Sequence, residues 1–200
     1  MTVAKESGCD VIVGVGGGTA LDTSKAVATN LGGLPSVIIP TIASNDAPCS
    51  SVAVIYNDEG VVIKALMMHR NPDVVLVDTG IIAQAPKHYL VSGMGDALST
   101  YFEARACYRS GAKTMSRGKC SMTAMALSEL CYKTLLKDSL KALEAVRTAR
   151  RHAGTGSRSS KPVVYLSGVG FEDGGLAAAH AVNDGFAYVL RRTACLTAKR

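Results

Sequence analysis

Residues 10–40 read DVIVGVGGGTALDTSKAVATNLGGLPSVIIP. A β-branched run, 10–15, ends in glycines; a stretch of helical composition follows, Gly32 and Gly33 close it, and a second β-branched run occupies 36–40. Strand, glycine turn, helix and strand in that order are the unit of a parallel α/β sheet, because parallel neighbours need a crossover connection. Two more runs of the same kind, 52–56 (VAVIY) and 73–78 (DVVLVD), extend the expectation to a sheet of buried strands. From about Pro86 the texture changes to long helical segments: GDALSTYFEARACY, CSMTAMALSELCYKTLLKDSLKALEAV and GGLAAAHAVNDGFAYVL. The expected architecture is a partial α/β domain with a parallel sheet over 1–85, followed by an all-helical domain over 86–200. Within the latter, 146–161 and 188–200 are expected to be irregular.

Composition narrows the function classes. With 48% hydrophobic and 19% charged residues in 200, the chain can bury a core and is not of the disordered type. No apolar run approaches the roughly 18 residues of a membrane span, and the opening MTVAKESGCD has no secretion-signal core. No membrane association and a cytoplasmic location are expected. The six cysteines form no C-x-x-C pair and no zinc-type spacing, so reduced structural thiols are expected. The net charge of +6 is local: 145–161 and 191–200 carry nine Lys and Arg and no acid, which leaves the remainder net negative. Those basic segments lack interleaved aromatics or a binding module, so no nucleic-acid partner is expected. The absence of a G-x-S-x-G elbow removes support for serine hydrolysis.

Gly14, Gly16, Gly17 and Gly18 close a strand and open a helix. Backbone N–H groups there can approach a pyrophosphate while the helix N-terminus adds partial positive charge. A merely tight strand–helix turn accounts for the same glycines, and neither standard phosphate motif is complete. Thr41, Ser44, Asp46 and Ser50 follow a strand end, where ligands of α/β sheets collect, although a turn rich in capping groups explains that composition more plainly. Asp96 precedes a helical run, where an acid in the first turn is ordinarily a macrodipole partner. His180 sits in the apolar helix GGLAAAHAV, where a hydrogen-bonded core histidine is the default. Taken together, Asp96 and His180 suit Zn²⁺, but a catalytic zinc normally has three protein ligands and the sequence shows no third. His69, His88 and His152 have no ligand-like spacing.

Five segments in colinear order, VGVGGGTALDTSKAVA, IPTIASNDAPCSSVAVIY, NPDVVLVD, LVSGMGDALSTYFEA and YLSGVGFEDGGLAAAHAVNDG, closely resemble the glycerol dehydrogenase family. These are metal-dependent, NAD-linked polyol dehydrogenases related in fold to dehydroquinate synthase. The resemblance covers residues 1 to about 145 and about 163 to 187. It implies an N-terminal nucleotide-binding α/β domain, a helical metal-binding domain and a zinc site between them. Gly16, Gly17, Gly18 and Thr19 would lie at the NAD pyrophosphate, with Thr41, Ser44, Ser50, Val52 and Tyr56 lining the rest of the cofactor site. Asp46 would contact glycerol or a similar small vicinal diol, and Asp96 and His180 would be two of three zinc ligands. The implied chemistry is zinc-assisted loss of the hydroxyl proton and hydride transfer to nicotinamide, giving dihydroxyacetone. Assembly as a homo-oligomer is a further expectation.

Departures from the family pattern are specific. The family's Gly-Gly-Gly-Lys-Thr is here Gly16-Gly17-Gly18-Thr19-Ala20, without the lysine. Family members begin well upstream of Met1, and their third zinc ligand, in a His-Gly-Glu motif after the His180 helix, is replaced by RRTACLTAKR. Text rich in Arg, Ser, Thr, Ala and Gly fills 146–161 and the tail, as GC-rich DNA reads when translated out of frame. A frame-disrupted or truncated gene is therefore expected, with a nucleotide-binding or subunit-associating remnant as the alternative to an active enzyme.

Overall fold

The computed structural model describes residues 2–57, 62–149 and 162–189. Its first part is organised by one crossover. After a short helix α1 (Thr2–Glu6), strand β1 (Ile12–Gly16) leads into helix α2 (Gly18–Asn30), which returns the chain to β2 (Ser36–Pro40) beside and parallel to β1. The helix ends where the sequence says it should. Gly32 and Gly33 both take positive φ, and Gly33 N–H returns to the carbonyls of Ala28 and Thr29. A short strand β5 (Val74–Val75) extends the parallel sheet on the far side of β2. Ile38, fully buried on β2, faces α2, whose Leu21, Ala26 and Ala28 close over that side.

The four expected runs are therefore strands, but not one buried sheet. β3 (Val52–Tyr56) leaves the parallel sheet and pairs antiparallel with β4 (Val62–Met67), a strand that was not expected although it opens on the β-branched Val62 and Ile63. Expected burial fails on the other face of the parallel sheet. Val13, Val15, Val74 and Leu76 are each about half exposed, because α2 covers one face and no described helix covers the second.

The remainder is helical. Helix α3 (Thr79–Gln84) is N-capped by Asp78, whose carboxylate accepts from Gly80 N and Ile81 N. Then come α4 (Lys87–Ser110), α5 (Met122–Ala149), a wide helical turn Pro162–Ser167, α6 (Gly168–Gly174) and α7 (Ala178–Val189). Two boundaries differ from expectation. α5 runs to Ala149 and α7 to Val189, so the described ends of the stretches expected to be irregular, 146–149 and 188–189, are helical; 150–161 and 190–200 lie outside the described residues. The apolar period of α5 simply continues through Val146, which is buried.

One core crosses the junction between the two parts. Ala43 and Cys49, from the loop after β2, pack with Leu90 and Ala97 of α4, Cys131 and Leu135 of α5, and Val163 and Val164. Burying each larger aliphatic side chain there contributes roughly 1.5–3 kcal/mol, so the loop after β2 is fixed by the helices behind it. Among the described residues no helix is long and apolar enough to cross a membrane, and no disulfide links the five described cysteines.

Candidate functional site

Gly17 is the residue before α2 and contributes no side-chain cap, so the first N–H groups of that helix are left to a ligand or to solvent. They open on a cavity of about 420 Å³ lined by Gly17, Gly18, Thr19, Ser44, Asn45 and Tyr56, among others. Gly16 also serves the turn itself. Its φ is +149°, a Cβ there would lie 2.8 Å from that of Ala20, and its carbonyl accepts from Thr41 N–H. Gly16 thus makes the turn, and Gly17 and Gly18 face the cavity.

The loop that forms the other wall is pinned by Lys25. This side chain is wholly buried, and its ammonium donates to the carbonyls of Ala47 (2.8 Å), Ser50 and Val52 while pairing with Asp22 at 2.8 Å. Asp22 in turn accepts from Val54 N–H at 3.1 Å. A charge so buried is tolerable only because every donor has an acceptor. The consequence is a rigid connection from α2 to residues 47–54. A second buried carboxylate, Glu172 of α6, accepts from the Ser51 hydroxyl and from Asn71 Nδ2 and anchors the same loop from the helical side.

A cavity of about 400 Å³ lies on the far side of this loop, with Ser44, Asn45, Asp96, Ser99, His180 and Asn183 in its walls. Asp96 is not in a first helical turn, as expected from the sequence, but nine residues into α4, so the macrodipole does not explain it. One of its oxygens accepts from Asp46 N–H (3.2 Å), and the other is 3.6 Å from His180 Nε2. His180 occupies the first turn of α7, on a cavity wall rather than in the core. Its Nδ1–H donates to Glu103 Oε2 at 2.6 Å.

The electrostatics follow from this crowding. Burial and the neighbouring Asp96 charge push Asp46 up to about 8, against the lowering influence of the Ser167 hydroxyl. Burial also raises Asp96, partly offset by His180. The Glu103 hydrogen bond raises His180. Burial alone would lift Glu103, yet its bonds from the His180 side chain and from backbone N–H groups bring it below the usual carboxylate range.

Of the residues expected at the cofactor, Gly17, Gly18, Thr19, Ser44 and Tyr56 share one cavity, whereas Ser50 and Val52 do not reach it. Both are buried, and the Ser50 hydroxyl bonds to the carbonyls of Ala47 and Val52, so they shape the loop rather than line it. Thr41 is held by its N–H to Gly16 and is likewise outside the lining. Asp46, expected to touch the diol, is turned inward: its carboxylate accepts from Ser167 Oγ at 2.6 Å, and Ser167 pairs with Thr100. Burial and that hydrogen bond hold it behind the cavity wall. Sequence reasoning missed Asn45, Asn183, Lys25 and Glu103. The spacing of Asn183 from His180, and of Glu103 from Asp96, puts each pair on one helix face, which was the available signal.

Asp96 and His180 fit two positions of a metal site. Two donors 2.1 Å from a tetrahedral zinc stand about 3.4 Å apart, close to the 3.6 Å between these atoms. An imidazole whose other nitrogen is held by a carboxylate is the usual arrangement of a metal-bound histidine. No group of three or more His, Cys, Asp or Glu among the described residues is arranged to hold a metal.

A parallel βαβ unit with an uncapped helix N-terminus is joined to helices that carry an Asp–His pair. Comparison with known proteins shows what this arrangement is similar to. Residues 1–79 match the iron-containing alcohol dehydrogenase family. A glycerol dehydrogenase of Escherichia coli is 54% identical over 92% of this chain and 49% of its own length. A glycolaldehyde reductase of Halobacterium salinarum is 45% identical over 92% of this chain and 50% of its own. The crystal structure of a probable glycerol dehydrogenase from Sinorhizobium meliloti superposes with a TM-score of 0.86 at 42% identity, over 94% of this chain and 52% of that one. The family match thus lies in residues 1–79, the similarity to glycerol dehydrogenases runs over nearly the whole chain, and the chain spans about half the length of the curated relatives it matches.

Proposed function

We propose that this chain carries the cofactor and metal surfaces of an NAD-linked polyol dehydrogenase acting on glycerol or a similar small vicinal diol, with zinc as the metal. The observation that carries the reading is the sharing of Ser44 and Asn45 between the two cavities, one at the α2 N-terminus and one at Asp96 and His180. Hydride transfer requires that cofactor and alcohol meet, and a common wall is where they can.

In this reading the N–H groups of Gly18 and Thr19 bind the pyrophosphate, and Tyr56 closes the cavity around the cofactor. Lys25 and Glu172 keep the shared loop from shifting when ligands enter. Asp96 and His180 hold zinc, while Asn45, Ser99 and Asn183 supply polar groups to orient the diol. When bound, zinc supplies Lewis acidity at the secondary hydroxyl and NAD accepts the hydride from its carbon, giving dihydroxyacetone.

A second reading rests on the ligand count. With two ligand-type side chains rather than three among the described residues, the chain by itself binds nucleotide but turns over little. Titration with NAD, followed by glycerol-dependent formation of NADH at saturating zinc, separates the two. Saturable binding with turnover that His180→Ala removes supports the enzyme; binding without turnover supports the remnant; no NAD binding removes both.

A further inference from the structure

Glu103 belongs to neither cavity function assigned above, yet every acceptor it has is aimed at one neighbour. It lies two turns after Asp96 on α4, with its side chain almost wholly buried. Oε1 accepts from Ala177 N–H at 2.8 Å and from His180 N–H at 3.1 Å, two of the orphan donors at the start of α7. Oε2 accepts from His180 Nδ1 at 2.6 Å and from Ser99 Oγ at 3.3 Å. One carboxylate therefore fixes both the helix that carries His180 and the ring of His180 itself.

We propose that Glu103 is the positioning residue for His180: it holds the ring proton on Nδ1 and so leaves Nε2, beside Asp96, as the nitrogen with a free lone pair. The proposal rests on the reading of Asp96 and His180 as metal ligands for its purpose, but not for its geometry. A neutral imidazole has one donor and one acceptor nitrogen, and the partner of one decides the state of the other. A carboxylate opposite Nδ1 can only accept, so Nδ1 must donate.

The chemistry demands two acceptor oxygens, which makes the nearest isostere informative. In Glu103→Gln the single amide oxygen can serve the two α7 N–H donors or the one ring nitrogen, not both. Facing the two backbone donors satisfies more bonds and preserves the helix start. The amide NH₂ then meets Nδ1, which has to accept, and the ring proton moves to Nε2, where it occupies the position a metal would take.

The test is nitrogen-15 NMR of the His180 ring in the zinc-free protein at alkaline pH, where the imidazole is neutral, together with zinc affinity by competition with a chromogenic chelator. The wild-type chain is expected to carry its ring proton on Nδ1, and E103Q on Nε2. Zinc affinity is expected to fall by roughly 10- to 100-fold in E103Q, with the helical circular dichroism retained. A wild-type ring protonated on Nε2 overturns the proposal without reference to any variant. So does an E103Q protein that keeps both the Nδ1 proton and wild-type zinc affinity. If the wild-type chain takes up no zinc, the metal reading falls, while the tautomer comparison still decides the role of Glu103.

Discussion

At the scale of single residues, Lys25 shows what composition hides. A lysine at a polar position of an amphipathic helix reads as solvated, yet its ammonium is sealed against three carbonyls and Asp22. Asp22 is a local partner, but the three carbonyls lie more than 20 residues away, which no local pattern contains. Lys25→Met leaves Asp22 buried without its cation, at a cost of about 3–5 kcal/mol; urea unfolding of the variant measures it, and an unchanged midpoint would contradict the packing described. Gly17 was legible, because an uncapped glycine before a helix is a sequence feature. Its backbone is extended, and an added Cβ meets only the flexible end of Ile42, so Gly17→Val leaves the fold largely intact while crowding the cavity. The variant is expected to retain its melting temperature within a few degrees and to lose NAD affinity at least tenfold by equilibrium titration. Asp46 carries the pH dependence. With its folded pKa raised to about 8 against an ordinary carboxylate value, the native state holds a proton that the unfolded chain has lost. That contribution is full at about pH 4 and is lost as pH rises through about 8, and His180, also raised, acts in the same direction. The metal-free chain should therefore melt lower at pH 8.5 than at pH 5.5, and Asp46→Asn should flatten the profile.

At the scale of elements, the βαβ unit was read correctly because its information is local: a strand, a turn, a helix stop and a strand. The β3–β4 hairpin was not: Val62 and Ile63 are a β-branched signal that was passed over, and the antiparallel pairing with Val52–Tyr56 is not written in either run alone. The start of α4 was missed for a related reason. Gly93 and Gly95 look like a break before a helix at Asp96, but they lie inside one that begins at Lys87. The two glycines serve different ends. A Cβ on Gly93 would stand 2.2 Å from the Ala43 carbonyl oxygen and 2.7 Å from Val163, whereas one on Gly95 meets nothing within 4 Å. Gly93 lets α4 lie directly against the loop that joins the cavities. Gly93→Ala is expected to destabilise by about 1–3 kcal/mol through overpacking, and Gly95→Ala to stabilise by up to about 1 kcal/mol through helix propensity. Chemical unfolding of the two single variants checks the opposite signs.

At the scale of the whole molecule, the described strands end at Val75 and helices follow from Thr79, but Ala43, Leu90 and Val163 belong to one core that spans the change. Hydrophobic period reports which face of an element is buried and not which other element buries it, so a shared core is invisible along the chain. The same limit explains the site. Asp96 and His180 came from family-like text, while their separation, the turning of Asp46 toward Ser167 and the role of Glu103 needed distances. A molecule with two described ligand positions should hold zinc weakly, and dialysis against a chelator is expected to strip it, with metal analysis as the readout. The central claim, that the two cavities meet at Ser44 and Asn45 and bring a diol to a nicotinamide, is tested most directly by isotope transfer. Zinc-saturated chain is mixed with NAD and glycerol deuterated at its secondary carbon, and the dinucleotide is examined by mass spectrometry after a single turnover. The account predicts deuterium in the reduced nicotinamide above the level given by the Asp96→Asn, His180→Ala double variant; NAD that is bound yet acquires no more deuterium than in that variant would contradict it.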